Sequence, residues 1–103
     1  MGKGAINLDK LYEREGNIHY YKVSSPHYEN AEMFAMINGD KKEIEFFLTA
    51  KFEDPVRKIS LFSLEEPVGK IEGVEQYAYT SALGLCMDMI EANNFPQRIS
   101  RCS

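Results

Sequence analysis

The chain has 103 residues, of which 44% are hydrophobic and 27% charged, values typical of one globular domain with a single core. Sixteen acidic residues against twelve basic ones give a net charge of −4, which disfavours nucleic-acid binding because such proteins usually carry a positive face. Two cysteines, Cys86 and Cys102, are too few for a disulfide scaffold, and no segment resembles a membrane span or a signal peptide. We therefore expect a cytoplasmic protein with reduced thiols, with one disulfide as the alternative.

The first predicted elements are a short helix and a strand. Residues 5–15 carry apolar side chains at near-helical spacing and are followed by a glycine, which predicts a helix. Residues 18–24 are rich in aromatic and β-branched types, which is typical of a strand. The apolar positions of the predicted helix are Ile6 or Leu8, Leu11 and Tyr12.

A hairpin is predicted next. The apolar run at 32–37 ends at Asn38-Gly39, two residues that tolerate positive φ. Residues 43–52, EIEFFLTAKF, alternate apolar and polar types, the period of a strand with one buried face. A hairpin loop of two or four residues puts the apolar positions of both strands on that face. A loop of three residues would turn the apolar positions of one strand to the opposite face. These positions are Met33, Ala35, Ile37, Ile44, Phe46, Leu48, Ala50 and Phe52.

The remaining chain predicts a fourth strand at 56–64 and a long helix at 74–93. About twenty residues span roughly 30 Å, enough to cross a four-stranded sheet. Residues 1–4 and 98–103 are expected to be frayed. The predicted α+β fold is α-β-β-β-β-α, an antiparallel four-stranded meander with a short N-terminal helix and the long C-terminal helix packed on one face. The helix's apolar positions are Val74, Ala78, Tyr79, Ala82, Leu83, Leu85, Cys86, Met89 and Ile90.

The acids around the long helix predict a binding surface. Residues 61–97 carry six acids against Lys70 alone. Such an excess attracts a basic protein surface and speeds encounter with it. The alternative is that the acids only keep the helix soluble and favour its dipole. We call the predicted surface the acidic strip; it consists of Glu65, Glu66, Glu72, Glu75, Gln76, Thr80, Asp88 and Glu91.

Residues 17–28, NIHYYKVSSPHY, hold both histidines but predict a strand and a turn. His19 and His27 lack a cysteine or carboxylate at a familiar ligand spacing, so we expect no metal. A small enzyme with a site around these histidines and Ser24 or Ser25 is an alternative.

A second alternative is a regulatory module that stacks nucleic-acid bases on exposed aromatic rings of the sheet. Tyr20, Tyr21 and Phe47 are the candidate rings, with Lys22 beside them. The absence of a basic stripe makes nucleic-acid binding unlikely on sequence grounds.

In general character the chain resembles small bacterial immunity or inhibitor proteins: an acidic domain with surface aromatics and no catalytic constellation. The resemblance is one of composition over the whole chain and transfers no residue roles. It implies a non-enzymatic domain that neutralises a toxin, often a basic nuclease, by covering its active site. Small secretion chaperones share this character and are a further alternative. We expect a basic protein partner, no cofactor and no membrane association, and the sequence makes no prediction about self-association.

Overall fold

Six antiparallel strands form one sheet in the computed structural model, which describes residues 5–25, 32–63 and 69–102. The elements are β1 (Ala5–Arg14), β2 (Ile18–Ser24), β3 (Met33–Asn38), β4 (Glu43–Phe47), β5 (Arg57–Ser60), α1 (Gln76–Ala92) and β6 (Arg98–Cys102). The strand order is β5-β4-β3-β2-β1-β6, so α1 returns the chain to β1 after a meander. The predicted four-stranded sheet with two helices is therefore wrong: the described residues are mostly sheet, with one helix.

The predicted N-terminal helix is strand β1. Ile6 and Leu8 alternate into the core, as in a strand. The register then shifts, because Lys10 pairs with Tyr21 whereas Tyr12 pairs with Tyr20. This bulge adds one residue, so the next apolar positions follow at intervals that resemble a helical period.

The hairpin between β3 and β4 places the apolar residues of both strands on one face, as predicted. Asn38 pairs with Glu43, which leaves a four-residue loop. The predicted alternation fails after β4, because the strand ends at Phe47. Leu48 is 38% exposed, and Phe52 adopts a left-handed backbone conformation with φ of 55°. The predicted positions that do lie in the core are Met33, Ala35, Ile37, Ile44 and Phe46.

Phe52 covers the outer face of the sheet, which we define as the face opposite α1. Its ring lies 4.6 Å from Tyr20, 5.2 Å from Phe47 and 5.8 Å from Phe34, measured between centroids. Tyr12 stacks on Tyr20 at 4.4 Å. We call these five rings the aromatic cluster. It buries the outer face between β2 and β4, where no helix lies.

Helix α1 lies where the sequence predicts it, and all nine of its predicted apolar positions are buried. Tyr79 packs edge-on against Phe46 at 5.4 Å. Asn93 ends the helix with φ of 52°, and its N–H donates to the carbonyl of Ile90. No helix in the described ranges is long and apolar enough to cross a membrane.

Residues 98–102, expected to be frayed, form strand β6. They pair with β1 from Ala5↔Cys102 to Asp9↔Arg98. Ile99 is the one large aliphatic residue of this strand, so the sequence of this segment shows no alternation of apolar and polar residues that would predict a strand. The flanking arginines are typical of an edge strand. Residues 1–4 and Ser103 lie outside the described residues.

Truncation of Phe46 to alanine should lower the free energy of unfolding by about 3–5 kcal/mol, because it leaves a cavity beneath α1. Leu48→Ala is the matched control on the same segment, and it should cost less than about 1 kcal/mol because this side chain is partly in water. Urea denaturation followed by circular dichroism measures both. Equal losses in the two variants would contradict the observed end of β4.

Candidate functional site

The N-terminal part of the acidic strip is only partly available to a partner. Glu72 is exposed in the turn before α1. Glu75 is half-buried at the N-cap position, its carboxylate caps no backbone group, and Oε1 has no hydrogen-bond partner. Glu75 is therefore not a free surface charge. Glu65 and Glu66 lie outside the described residues.

The helical part of the strip faces solvent as predicted. Gln76, Thr80, Asp88 and Glu91 are all exposed. Positions four apart on a helix lie on one side, which explains why these residues align. The Thr80 hydroxyl donates to the carbonyl of Gln76 at 3.0 Å, so it bonds mainly to its own helix.

A cation from β6 interrupts the strip. Nη2 of Arg101 lies 3.1 Å from Oδ2 of Asp88. The guanidinium also passes over Gly84, where a Cβ atom would clash with it. The sequence did not predict this pair, because residues 98–102 were expected to be frayed. The strip therefore has two acidic ends, Glu72 and Glu91, separated by an ion pair.

A second group of polar residues, which we call the His19 cluster, lies where the turn after α1 meets the sheet. The His19 ring is 7% exposed and stacks on Phe95 at 4.0 Å. Nε2 lies 2.5 Å from Oδ1 of Asn17. Nδ1 lies 3.3 Å from Oε1 of Glu13, but in a geometry that forms no hydrogen bond. A neutral ring that donates from Nε2 to Asn17 fits these contacts.

Lys10 completes the His19 cluster and joins it to the turn. Its Nζ donates to the Phe95 carbonyl at 2.6 Å and to Oε1 of Glu13 at 2.9 Å. The lysine side chain is only 6% exposed. Nearby, the Tyr21 hydroxyl donates to the Pro96 carbonyl at 2.7 Å. These bonds satisfy two carbonyls of the turn, as buried backbone groups require.

The electrostatics keep His19 neutral. Burial lowers the pKa of its imidazole, the ammonium of Lys10 lowers it further, and Glu13 opposes both effects. A hydrogen bond and the charge of Lys10 lower the pKa of Glu13. Burial raises the pKa of the Cys86 thiol, so this cysteine packs as an apolar group and is a poor nucleophile.

Of the residues in the enzyme alternative, His19 and Ser24 do not converge. Ser24 lies five residues from His19 along β2, on the opposite face and roughly 16 Å away at strand spacing. His27 lies outside the described residues. The described residues hold no group of three histidine, cysteine or acidic side chains that could bind a metal.

The contacts of His19 were not predicted from the sequence. Lys10 and Glu13 lie in the segment predicted to be the N-terminal helix, and Phe95 lies just beyond the predicted long helix. Only the antiparallel pairing of β1 with β2 sets Glu13 opposite His19. No linear spacing indicates this contact.

The proposed base-stacking rings are enclosed. Tyr21 lies under α1 and is fully buried, while Tyr20 and Phe47 belong to the aromatic cluster and are 5% and 2% exposed. Stacking of bases requires accessible ring faces. These three residues offer none.

Comparison of the chain with protein-family models, curated proteins and solved structures finds no match. Its function must therefore be inferred from its own surfaces.

The buried His19 should make stability depend on pH. Its pKa in the folded state is below the unfolded value of about 6.5, so the unfolded chain takes up the proton first as the pH falls. The contribution of neutral His19 to the free energy of unfolding is complete above pH 6.5. It is lost as the pH falls from 6.5 through the pKa of the folded state. Thermal melts between pH 7.5 and pH 5 measure this slope.

His19→Gln should flatten this slope, and His27→Gln is the matched control that should retain it. The lowered pKa of Glu13 acts in a separate window, below the ordinary glutamate value of 4.5. A wild-type slope in His19→Gln would refute the assignment.

Proposed function

We propose that this chain is a protein-binding domain of the inhibitor or immunity type, and that it docks the solvent side of α1 onto a basic partner. The observation that carries this proposal is the exposure of Gln76, Thr80 and Glu91 on one side of α1, with Glu72 exposed in the turn before the helix. The Arg101 side chain of β6 crosses this side over Gly84, beside Asp88, and leaves Gln76, Thr80 and Glu91 exposed. A net charge of −4 adds a long-range attraction to a basic surface.

The Arg101–Asp88 pair helps to define the kind of partner surface that would fit the solvent side of α1. The exposed acids Glu72 and Glu91 lie at opposite ends of the helical segment from Gln76 to Glu91, whose rise over fifteen residues is roughly 23 Å. This length exceeds the Debye length of about 8 Å at physiological salt, so charges at its two ends are largely screened from each other. The partner proposed here has two separate basic patches, one for each acid.

Binding is favoured over catalysis because His19, the one histidine among the described residues, is enclosed. Phe95 covers its ring and Asn17 binds Nε2. A general base must reach the proton of a substrate, and His19 is only 7% exposed. The secretion-chaperone alternative also predicts a protein partner, and it is separated from the inhibitor function by whether binding abolishes a toxic activity of the partner.

The double variant Glu72→Lys/Glu91→Lys should slow association with the partner, captured from the native host, by about tenfold at low salt. The effect should shrink at high salt, because screening weakens attraction between exposed charges. Stopped-flow association kinetics at two ionic strengths measure both quantities, and inhibition of the partner's activity is assayed in parallel.

Glu15→Lys/Glu53→Lys is the matched control. It makes the same change in net charge at two exposed acids that lie outside the strip. It should slow association much less than the strip variant. Equal effects of the two variants would show attraction by net charge alone, and no effect of either would exclude docking through α1.

A further inference from the structure

A cavity of about 380 Å³ lies between the end of β4, the start of β5 and the segment that leads into α1. This volume falls within the range of about 300–1,000 Å³ that is usual for small-ligand pockets. The described residues that line it are three apolar and three charged ones: Leu48, Val56, Ile71, Arg57, Lys70 and Glu72.

One wall of the cavity is apolar. Leu48 and Val56 are 38% and 40% exposed, while Ile71 is 4% exposed and belongs to the core. Burial of apolar surface is favourable in proportion to the area removed from water. A ligand with an apolar part would therefore gain free energy by covering Leu48 and Val56.

Arg57 supplies an oriented cation. Nη1 donates to the Tyr79 hydroxyl at 3.2 Å, Nη2 donates to the Lys70 carbonyl at 2.9 Å, and the guanidinium lies 5.3 Å from the centre of the Tyr79 ring. These contacts use two of the five N–H groups of an arginine. A guanidinium fixed in this way loses little further freedom when it binds an anion.

Neither base at the cavity, Arg57 nor Lys70, forms an ion pair with a described residue, so both charges are open to an anion. Among the described lining residues, two bases and Glu72 sum to a formal charge of +1. One monoanion would balance this charge, while a dianion would leave an excess.

We propose that this cavity binds a small amphipathic monocarboxylate, with its oxygens on Arg57 and Lys70 and its apolar part against Leu48, Val56 and Ile71. This proposal does not rest on the docking proposed for α1, although Glu72 borders both sites. The ligand class follows from the charge balance and from the apolar wall. A carboxylate is also the group that an arginine fork binds in a bidentate manner.

Three probes with the same six-carbon chain test the proposal: hexanoate, 1-hexanol and hexylammonium. Titrations followed by 15N–1H NMR should show saturable shifts with hexanoate at the amides of Leu48, Val56, Arg57 and Ile71. Hexanol should bind about tenfold more weakly, because it lacks the charge-assisted bonds. Hexylammonium should show no saturation.

Lys70→Gln should weaken hexanoate binding by about threefold to tenfold, the range expected for one partly exposed charge interaction. Lys58→Gln is the matched control; this exposed lysine pairs with Glu45 away from the cavity, so its loss should leave hexanoate affinity unchanged. Val56→Glu adds a negative charge at the exposed wall and should abolish binding.

The proposal is overturned if the cavity amides show no saturable shift with hexanoate. Equal affinities for the three probes would also overturn it, since they would indicate an apolar surface without charge preference. So would Lys70→Gln with wild-type affinity and an otherwise unchanged spectrum.

Discussion

The path of the chain after α1 depends on the contacts that hold one short turn to the middle of the sheet. Lys10 and Tyr21 donate to consecutive carbonyls of this turn, those of Phe95 and Pro96, and His19 stacks on the Phe95 ring. A buried ammonium group costs free energy unless it is paired. The hydrogen bonds of Lys10 replace the contacts with water that its ammonium group loses on burial. The turn fixes where β6 begins, and β6 in turn supplies the arginine that crosses α1.

The aromatic residues of the chain are mostly structural. On the helix face Tyr21 and Tyr79 are fully buried, and on the outer face Phe52 closes the cluster formed with Phe34 and Phe47. The sheet is thus covered on both sides between β2 and β4 although the described residues form one helix. The surfaces considered for a partner are the solvent side of α1 and the cavity beside Arg57. Glu72 lies at the junction of the first two, so occupation of one would alter the charge presented by the other.

The parts of the fold that follow a regular period were predictable, and the parts that depend on an irregularity were not. Residue type indicated β2, an apolar run before Asn38-Gly39 indicated β3, alternation indicated β4 as far as Phe47, and the helical period indicated α1. The bulge in β1 placed Leu8, Leu11 and Tyr12 at intervals of three and one, which imitates a helix. The acidic strip was predicted on the correct side of α1, but its charge was overestimated, because the pairing of Arg101 with Asp88 requires a strand that has no sequence signal.

The neighbouring positions of β1 and β6 have a kinetic consequence. Strands β1 to β5 are joined by short connections, so each pair can form by closing a small loop. The β1–β6 pair is different, because Ile6 meets Arg101 from almost the opposite end of the described chain. Contacts of such large sequence separation form slowly, since the entropy of the whole intervening segment is lost before they contribute. During synthesis one side of β1 therefore stays unpaired until the C-terminal segment leaves the ribosome, and that open edge is where a nascent chain would first associate with other chains.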